Sequence, residues 1–169
     1  MKHSAWLLLL PALLNLQCGY RLAGRGRNLP AAAQTIVIPE FKNETSRYQA
    51  DRFVTAAIKE EFIKMSRLRL SDAMDKADLL HEGMISAFET APISYSGRGA
   101  ANLYEVRIVI NVRLIDMKKN ELFYEGNGLV FREPFEMDAA DFFSQEPAAL
   151  NKIAAKFAAS IVTSILDNF

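Results

Sequence analysis

The most regular hydrophobic pattern in the chain is the alternation in LYEVRIVINVRLID. Tyr104, Val106, Ile108, Ile110, Val112 and Leu114 take one side, and Glu105, Arg107, Val109, Asn111 and Arg113 take the other. Successive side chains of a strand point to opposite faces, so period two over this length predicts a long strand with one buried and one wet face. MKKNE follows as a turn, and LFYEGNGLVFRE returns as an antiparallel partner whose middle Gly126 and Gly128 weaken or bend. Upstream, QTIVIP is a β-branched run stopped by Pro39, and it predicts a strand buried on both faces or nearly so. FKNETSRYQ reads as a turn and cap, and RLRLSD as a short strand. ADLLHEGMISAFETAPISY is apolar enough for a strand, but Gly83 and Pro92 interrupt it and point to bulges or an edge.

Twice the apolar spacing changes to steps of three and four. Phe53, Val54, Ala57, Ile58, Phe62 and Met65 predict a helix over about 46 to 65, with Ser46 and Gln49 at the spacing of a capping box. Leu150, Ile153, Ala154, Phe157, Ile161, Val162, Ile165 and Leu166 predict a second from about 145 to 168, introduced by Ser144 and Pro147. Two amphipathic helices need an apolar surface, and the half-buried sheet offers one. The expected fold is therefore α+β, a two-layer sandwich of a mixed four- to five-stranded sheet with the two helices packed on one face.

The first residues follow a different pattern. MKHSAWLLLLPALLNLQ pairs a weakly positive start with an apolar stretch that ends in polar chain, the layout of a secretory signal peptide. About 12 apolar residues make a helix of roughly 18 Å, whereas a bilayer core needs about 20 residues. Cys18, the one cysteine of the 169 residues, stands directly behind this run. Removal of residues 1–17 would make its thiol the first group of the mature chain, open to lipid attachment. Gln17 and Asn15 depart from the small residue and the Leu that a lipobox usually carries, with Leu14 one place early. An uncleaved anchor or a plain secreted protein are the other readings. A lone cysteine forms no internal disulfide, and a catalytic thiol would need a histidine partner. The expected layout is a lipoprotein signal peptide over 1–17, a lipidated N-terminus and linker over 18–33, and a single α+β domain over 34–169. Arg21, Arg25 and Arg27 in the linker would lie near lipid heads or in solvent.

Composition and charge limit the function classes. Without residues 1–17, 19 basic side chains face 20 acidic ones, a formal charge of −1, so no global field draws the protein to nucleic acid. Half the residues are apolar, as in a globular domain. His81 has no second His or Cys to complete a metal site, and Asp72, Asp75 and Asp78 lack the Gly and Glu spacing of a calcium loop and read as a solvated turn. The glycine-rich stretches at 24–28 and 97–102 do not join a strand to a helix as a phosphate cradle does. Neither an enzyme site nor a cofactor is expected.

The order CGYRLAGRGRNLP, TIVIPEFKNET, a helix, ADLLHEGMISAF and YEVRIVINVRLIDMKKNELFYEG resembles the LptE-like family of lipopolysaccharide-assembly lipoproteins over nearly the whole mature chain. Cys18, Gly19, Tyr20 and Pro30 carry the opening of that resemblance. It implies an outer-membrane lipoprotein, lipid-anchored on the periplasmic side or in a barrel lumen. There it would act as plug and assembly factor of an LptD-like β-barrel translocon that delivers lipopolysaccharide to the surface. It implies that lipopolysaccharide is contacted by basic residues, since phosphates call for Arg or Lys. The candidates are Arg98, before the long strand, and Arg107, Arg113, Lys118 and Lys119, on its wet face and turn; each is equally readable as a solubilising charge. An accessory protein of another envelope machine, of the secretin-pilotin or cell-wall-synthase-activator type, shares the same layout and is the alternative.

Overall fold

The alternation centred on Ile108 and Ile110 forms an inner strand of a sheet, with a neighbour on each side. The computed structural model describes residues 29–97, 99, 101–136 and 142–167. In chain order they form β1 (Thr35–Val37), β2 (Lys42–Asn43), α1 (Ala50–Met65), β3 (Arg69–Leu70), a 3-10 turn (Met74–Lys76), β4 (Leu79–Tyr95), β5 (Ala101–Asp116), β6 (Glu121–Glu136) and α2 (Phe142–Leu166). Among the described residues the six strands make one sheet in the order β3-β1-β4-β5-β6, with β2 also paired to β4. The pairs of β1 with β3 and β4, and of β2 with β4, are parallel, while β4, β5 and β6 form an antiparallel meander. The sheet is mixed, as expected, but has one strand more than the sequence pattern gives. The addition is β2, two residues inside the stretch read as turn and cap, where Lys42 and Asn43 pair with Met84 and Ile85. Two residues are too few to show a period.

One face of β5 supplies the floor of the core: Val106, Ile108, Ile110, Val112 and Leu114 are buried together with Ile58 and Phe62 of α1 and Phe157, Ile161 and Ile165 of α2. Each such side chain stabilises the fold by roughly 1.5–3 kcal/mol through removal from water. The helices lie side by side, with the Thr163 hydroxyl 3.8 Å from the Met65 sulfur. Leu29 and Ala33, from the stretch read as linker, are buried in the same core. The Arg67 guanidinium fixes that segment by donating to the Ala31 carbonyl at 3.1 Å.

Both helices differ at their starts from the sequence reading. α1 begins at Ala50 rather than about 46, and the Ser46–Gln49 capping box does not form: Gln49 is the cap, at φ 60°, with no side-chain bond. Residues 43–47 are instead wound by side-chain turns. Asn43 Oδ1 accepts from the Thr45 N–H and hydroxyl at 3.0 and 2.7 Å, and Thr45 Oγ1 accepts from the Arg47 N–H at 3.1 Å. Short polar side chains compete with the helix for these backbone groups. α2 begins at Phe142, ahead of the expected start. β4 runs unbroken from Leu79 to Tyr95 through Gly83 and Pro92, and its register shifts between Ile85 and Ala87 and again between Pro92 and Tyr95. The shift at Pro92 is the bulge that the proline predicts, whereas Gly83 stays in register with Val112 and the first shift falls at Ser86. Gly83 has a different reason, since a Cβ there would overlap the Phe41 ring.

Candidate functional site

The sheet face turned away from the helices collects the polar half of the β5 alternation. Register places Glu82 and Glu125 on either side of Arg113, and Glu89 and Arg132 on either side of Arg107. Arg113 pairs with Glu82, Arg107 Nη1 reaches Glu89 Oε2 at 3.1 Å, and Arg132 Nη1 lies 3.9 Å from Glu105 Oε1. Asn111 Oδ1 accepts the Gly128 N–H at 2.7 Å, which closes the bend where Gly128 takes φ 62°. The result is a surface on which each of these three arginines meets a carboxylate. Cross-strand pairs of this kind add a few tenths of a kcal/mol each, so they define the surface more than they stabilise it.

The sequence-predicted basic residues do not converge on one site. Arg107 and Arg113 stand on the outer face and are both engaged with carboxylates. Lys118 and Lys119 lie in the β5–β6 turn, whereas the loop that carries Arg98 joins β4 to β5 at the other end of the sheet. β5 holds 16 residues, about 54 Å at 3.4 Å per residue, which sets the order of that separation. Arg98 and Cys18 themselves are outside the described residues. Lys118 Nζ is held by Asp78 Oδ1 at 2.6 Å. The Lys119 ammonium makes no ion pair among the described residues, although its backbone N–H donates to Asp116 Oδ1 at 3.1 Å.

Asp78 is the residue that sequence reasoning misread. It is no solvated turn: its side chain is 14% exposed, and Oδ2 accepts the N–H groups of Gln34 and Thr35 at 2.7 and 3.0 Å. Thr35 Oγ1 accepts the Asp78 N–H, and the Asp78 carbonyl accepts from Met117 N–H at 2.8 Å. One carboxylate thus joins the start of β1, the start of β4 and the β5–β6 turn. The Lys118 ammonium above all, with the Gln34 and Thr35 N–H groups, holds its pKa well below the usual carboxylate range. No local signal marks this role, because the partners are more than 30 residues away on either side.

His81 is a core residue. It is fully buried between Phe41 and Phe62, with ring centroids 5.5 and 5.2 Å away, and Nδ1 lies 3.0 Å from the Arg113 carbonyl. Nε2 has no partner. Desolvation lowers its pKa from 6.5 to about 4, against the smaller raising effect of the Arg113 carbonyl, so the ring is neutral at physiological pH.

The apolar core under two helices and the ion-paired outer face make one folded body. Comparison with known proteins gives that body a family. The model of the LptE family, described as lipopolysaccharide-assembly, matches residues 33–165. The chain belongs to the LptE family. The matched span contains all six strands and almost all of both helices. Several solved structures share the fold. An uncharacterized lipoprotein B from Nitrosomonas europaea has a TM-score of 0.52 at 16% identity, covering 89% of this chain and 94% of that one. The rare lipoprotein B from Shewanella oneidensis has a TM-score of 0.51 at 11% identity, with coverages of 79% and 95%. A hypothetical protein, CT253, from Chlamydia trachomatis reaches 0.54 at 11% identity, with coverages of 80% and 98%. At such identities the likeness is one of fold alone. No curated protein matches the chain. Among the described residues no helix is long and apolar enough to cross a membrane. The family is described by assembly rather than by catalysis.

Proposed function

We propose that this LptE-family protein is an outer-membrane lipoprotein, anchored through Cys18, that sits as plug and assembly factor within an LptD-like β-barrel translocon for lipopolysaccharide. The observation that carries this reading is the family match over residues 33–165, which covers the folded body. The outer sheet face supports it. The lumen of a large barrel is polar, and a plug needs a rigid body whose exposed groups are already paired and whose net charge does not repel the wall. The ladder of Arg107, Arg113 and Arg132 with their carboxylates has that character.

Lipopolysaccharide phosphates would be met by Arg98, Arg107, Arg113, Lys118 and Lys119. These residues differ in readiness. Recruiting Lys118 would break the Asp78 connection, whereas the half-exposed pairs of Arg107 and Arg113 are worth about 0–1 kcal/mol and exchange readily for a phosphate. Lys119 needs no exchange. Arg98, which precedes β5 in the chain, and Lys119, which follows it, are therefore the residues to test separately.

Photo-crosslinking tests the plug directly. A crosslinking amino acid at Val130, which is 52% exposed on the outer face, should capture a large outer-membrane barrel in living cells. Adducts restricted to periplasmic proteins would overturn the reading.

A further inference from the structure

β6 ends the sheet on one side. Among the described residues nothing pairs with its free edge, although the strand is 16 residues long. Register shows which of its backbone groups face that edge. Pro134 stands opposite Glu105 and has no N–H to give, so this pair is of the kind that exchanges no hydrogen bonds. Alternation along the strand then turns the N–H and C=O groups of Val130 and Arg132 to the free side and binds those of Phe131 and Glu133 to β5. An independent contact agrees. The Val109 carbonyl, opposite Val130, accepts from the Ser86 hydroxyl of β4 at 3.2 Å, so it points away from β6.

Long free edges usually carry devices that stop other strands from adding to them, among them bulges, prolines and lysines. β6 has two such devices, the bend at Gly128, where φ is 62°, and Pro134 itself. Between them residues 129–133 hold no glycine, proline or lysine. Five residues make an ordinary strand. α2 covers the inner face here, with Phe157 on Phe131 and Lys156 on Glu133, while Val130 and Arg132 stay exposed. Those two side chains define what fits beside them. Val130 offers apolar surface, and Arg132 Nη1 comes no nearer to Glu105 Oε1 than 3.9 Å, so its forked guanidinium has donors left for a second carboxylate.

We propose that residues 129–133 of β6 take an added strand from the barrel polypeptide, an extended loop that enters the lumen with an apolar residue beside Val130 and an acidic one beside Arg132. The inference rests on the plug reading and deepens it. Strands of the wall are paired on both sides because the barrel is closed, so only a segment that leaves the wall has free backbone groups to offer. Backbone pairing then supplies the affinity of the contact, and the alternate side chains its specificity. Pro134 and the Gly128 bend limit the added pairing to the stretch between them.

Amide hydrogen exchange resolved to single residues reads an added strand directly. The full chain is compared alone and in the complex purified with it from outer membranes, in the same detergent. In the chain alone the N–H groups of Phe131 and Glu133, bound to β5, should exchange slowly and those of Val130 and Arg132 fast. In the complex the Val130 and Arg132 groups should slow by about tenfold or more. Val130→Pro removes one outward N–H and leaves the ladder to β5 intact, as the native Pro134 does. It should return the Arg132 N–H to fast exchange while the barrel is still recovered, and Val130→Ala should leave Arg132 protected. Equal exchange of Val130 and Arg132 in chain and complex overturns the added strand and leaves the plug standing; where Val130→Pro does not fold, this comparison decides alone. Protection of Arg132 that survives in a folded Val130→Pro also overturns it. So does protection that appears in the isolated chain as its concentration rises, because the occupant is then a second copy. If no barrel accompanies the parent chain, the plug reading falls and this inference with it.

Discussion

His81 carries a nitrogen, Nε2, that finds no partner in the core, and its charged form is excluded by burial. The folded pKa of about 4 lies below the unfolded 6.5, so between these values the unfolded chain binds the extra proton and stability rises with pH. Acidification from 6.5 towards 4 should remove about 3 kcal/mol, since each tenfold difference in proton affinity between the two states is worth about 1.4 kcal/mol. His81→Leu should flatten the upper part of that slope, where carboxylates do not yet titrate; an unchanged urea midpoint profile would contradict the assignment. Asp78 acts in the same direction lower down. Its pKa is depressed, so its contribution is present above the ordinary carboxylate range and fades only as pH falls through it. Gly83 is constrained by space: Phe41 stands against it, with its ring on His81 and its N–H donating to Thr55 Oγ1 at 2.9 Å. Gly83→Ala should cost about 1–3 kcal/mol by forcing Phe41 to move. A melting temperature equal to the parent's would show that Phe41 yields freely. That His81 completes no metal site was legible, because no second His or Cys lies near it in sequence, whereas its burial and the role of Asp78 were not, because their partners come together only in the fold.

At the scale of elements, periodicity carries most of the fold. The β5 alternation and the stripe of α2 appear in the structure side chain for side chain, since each is long enough for one face to be distinct from the other. Phe157, mid-stripe and fully buried, meets Phe131 of β6 edge to face at 5.6 Å. Phe157→Ala should cost about 3–5 kcal/mol, and thermal unfolding unchanged by that substitution would mean that α2 does not hold the sheet. What periodicity does not give is pairing. β2 and β3 are two residues each and owe their existence to partners on β4 and β1. The start of α1 was misplaced because side-chain turns of Asn43 and Thr45 hold residues 43–47 and Gln49 takes φ 60°, outside the helical region. The long β4 was only half legible: Pro92 marks a shift of register, whereas Gly83 stays paired with Val112 and is required by the Phe41 ring, which nothing in the strand's own pattern shows.

At the scale of the whole molecule, the basic residues that sequence gathers around one hairpin are separated by its length, and the proposed roles separate with them. Lys119→Glu and Arg98→Glu should therefore weaken lipopolysaccharide binding independently, each by about 1–3 kcal/mol if it removes a charge-assisted contact, while the domain stays folded. A binding assay in which neither variant differs from the parent would move the site elsewhere. Cys18→Ala should release the protein from the membrane fraction, and mass spectrometry of the unmodified chain should find an acylated Cys18 at its N-terminus. An intact Met1 would refute the anchor. The central claim is that this fold works inside a lipopolysaccharide-exporting barrel. The most direct measurement is affinity purification of the tagged full chain from outer membranes, with mass spectrometry of what accompanies it. A large β-barrel recovered in comparable amount, and retained when the salt is raised, is the predicted result, because an interface of plug size rests on many contacts. Abundant recovery of the chain with no barrel beside it would contradict the account.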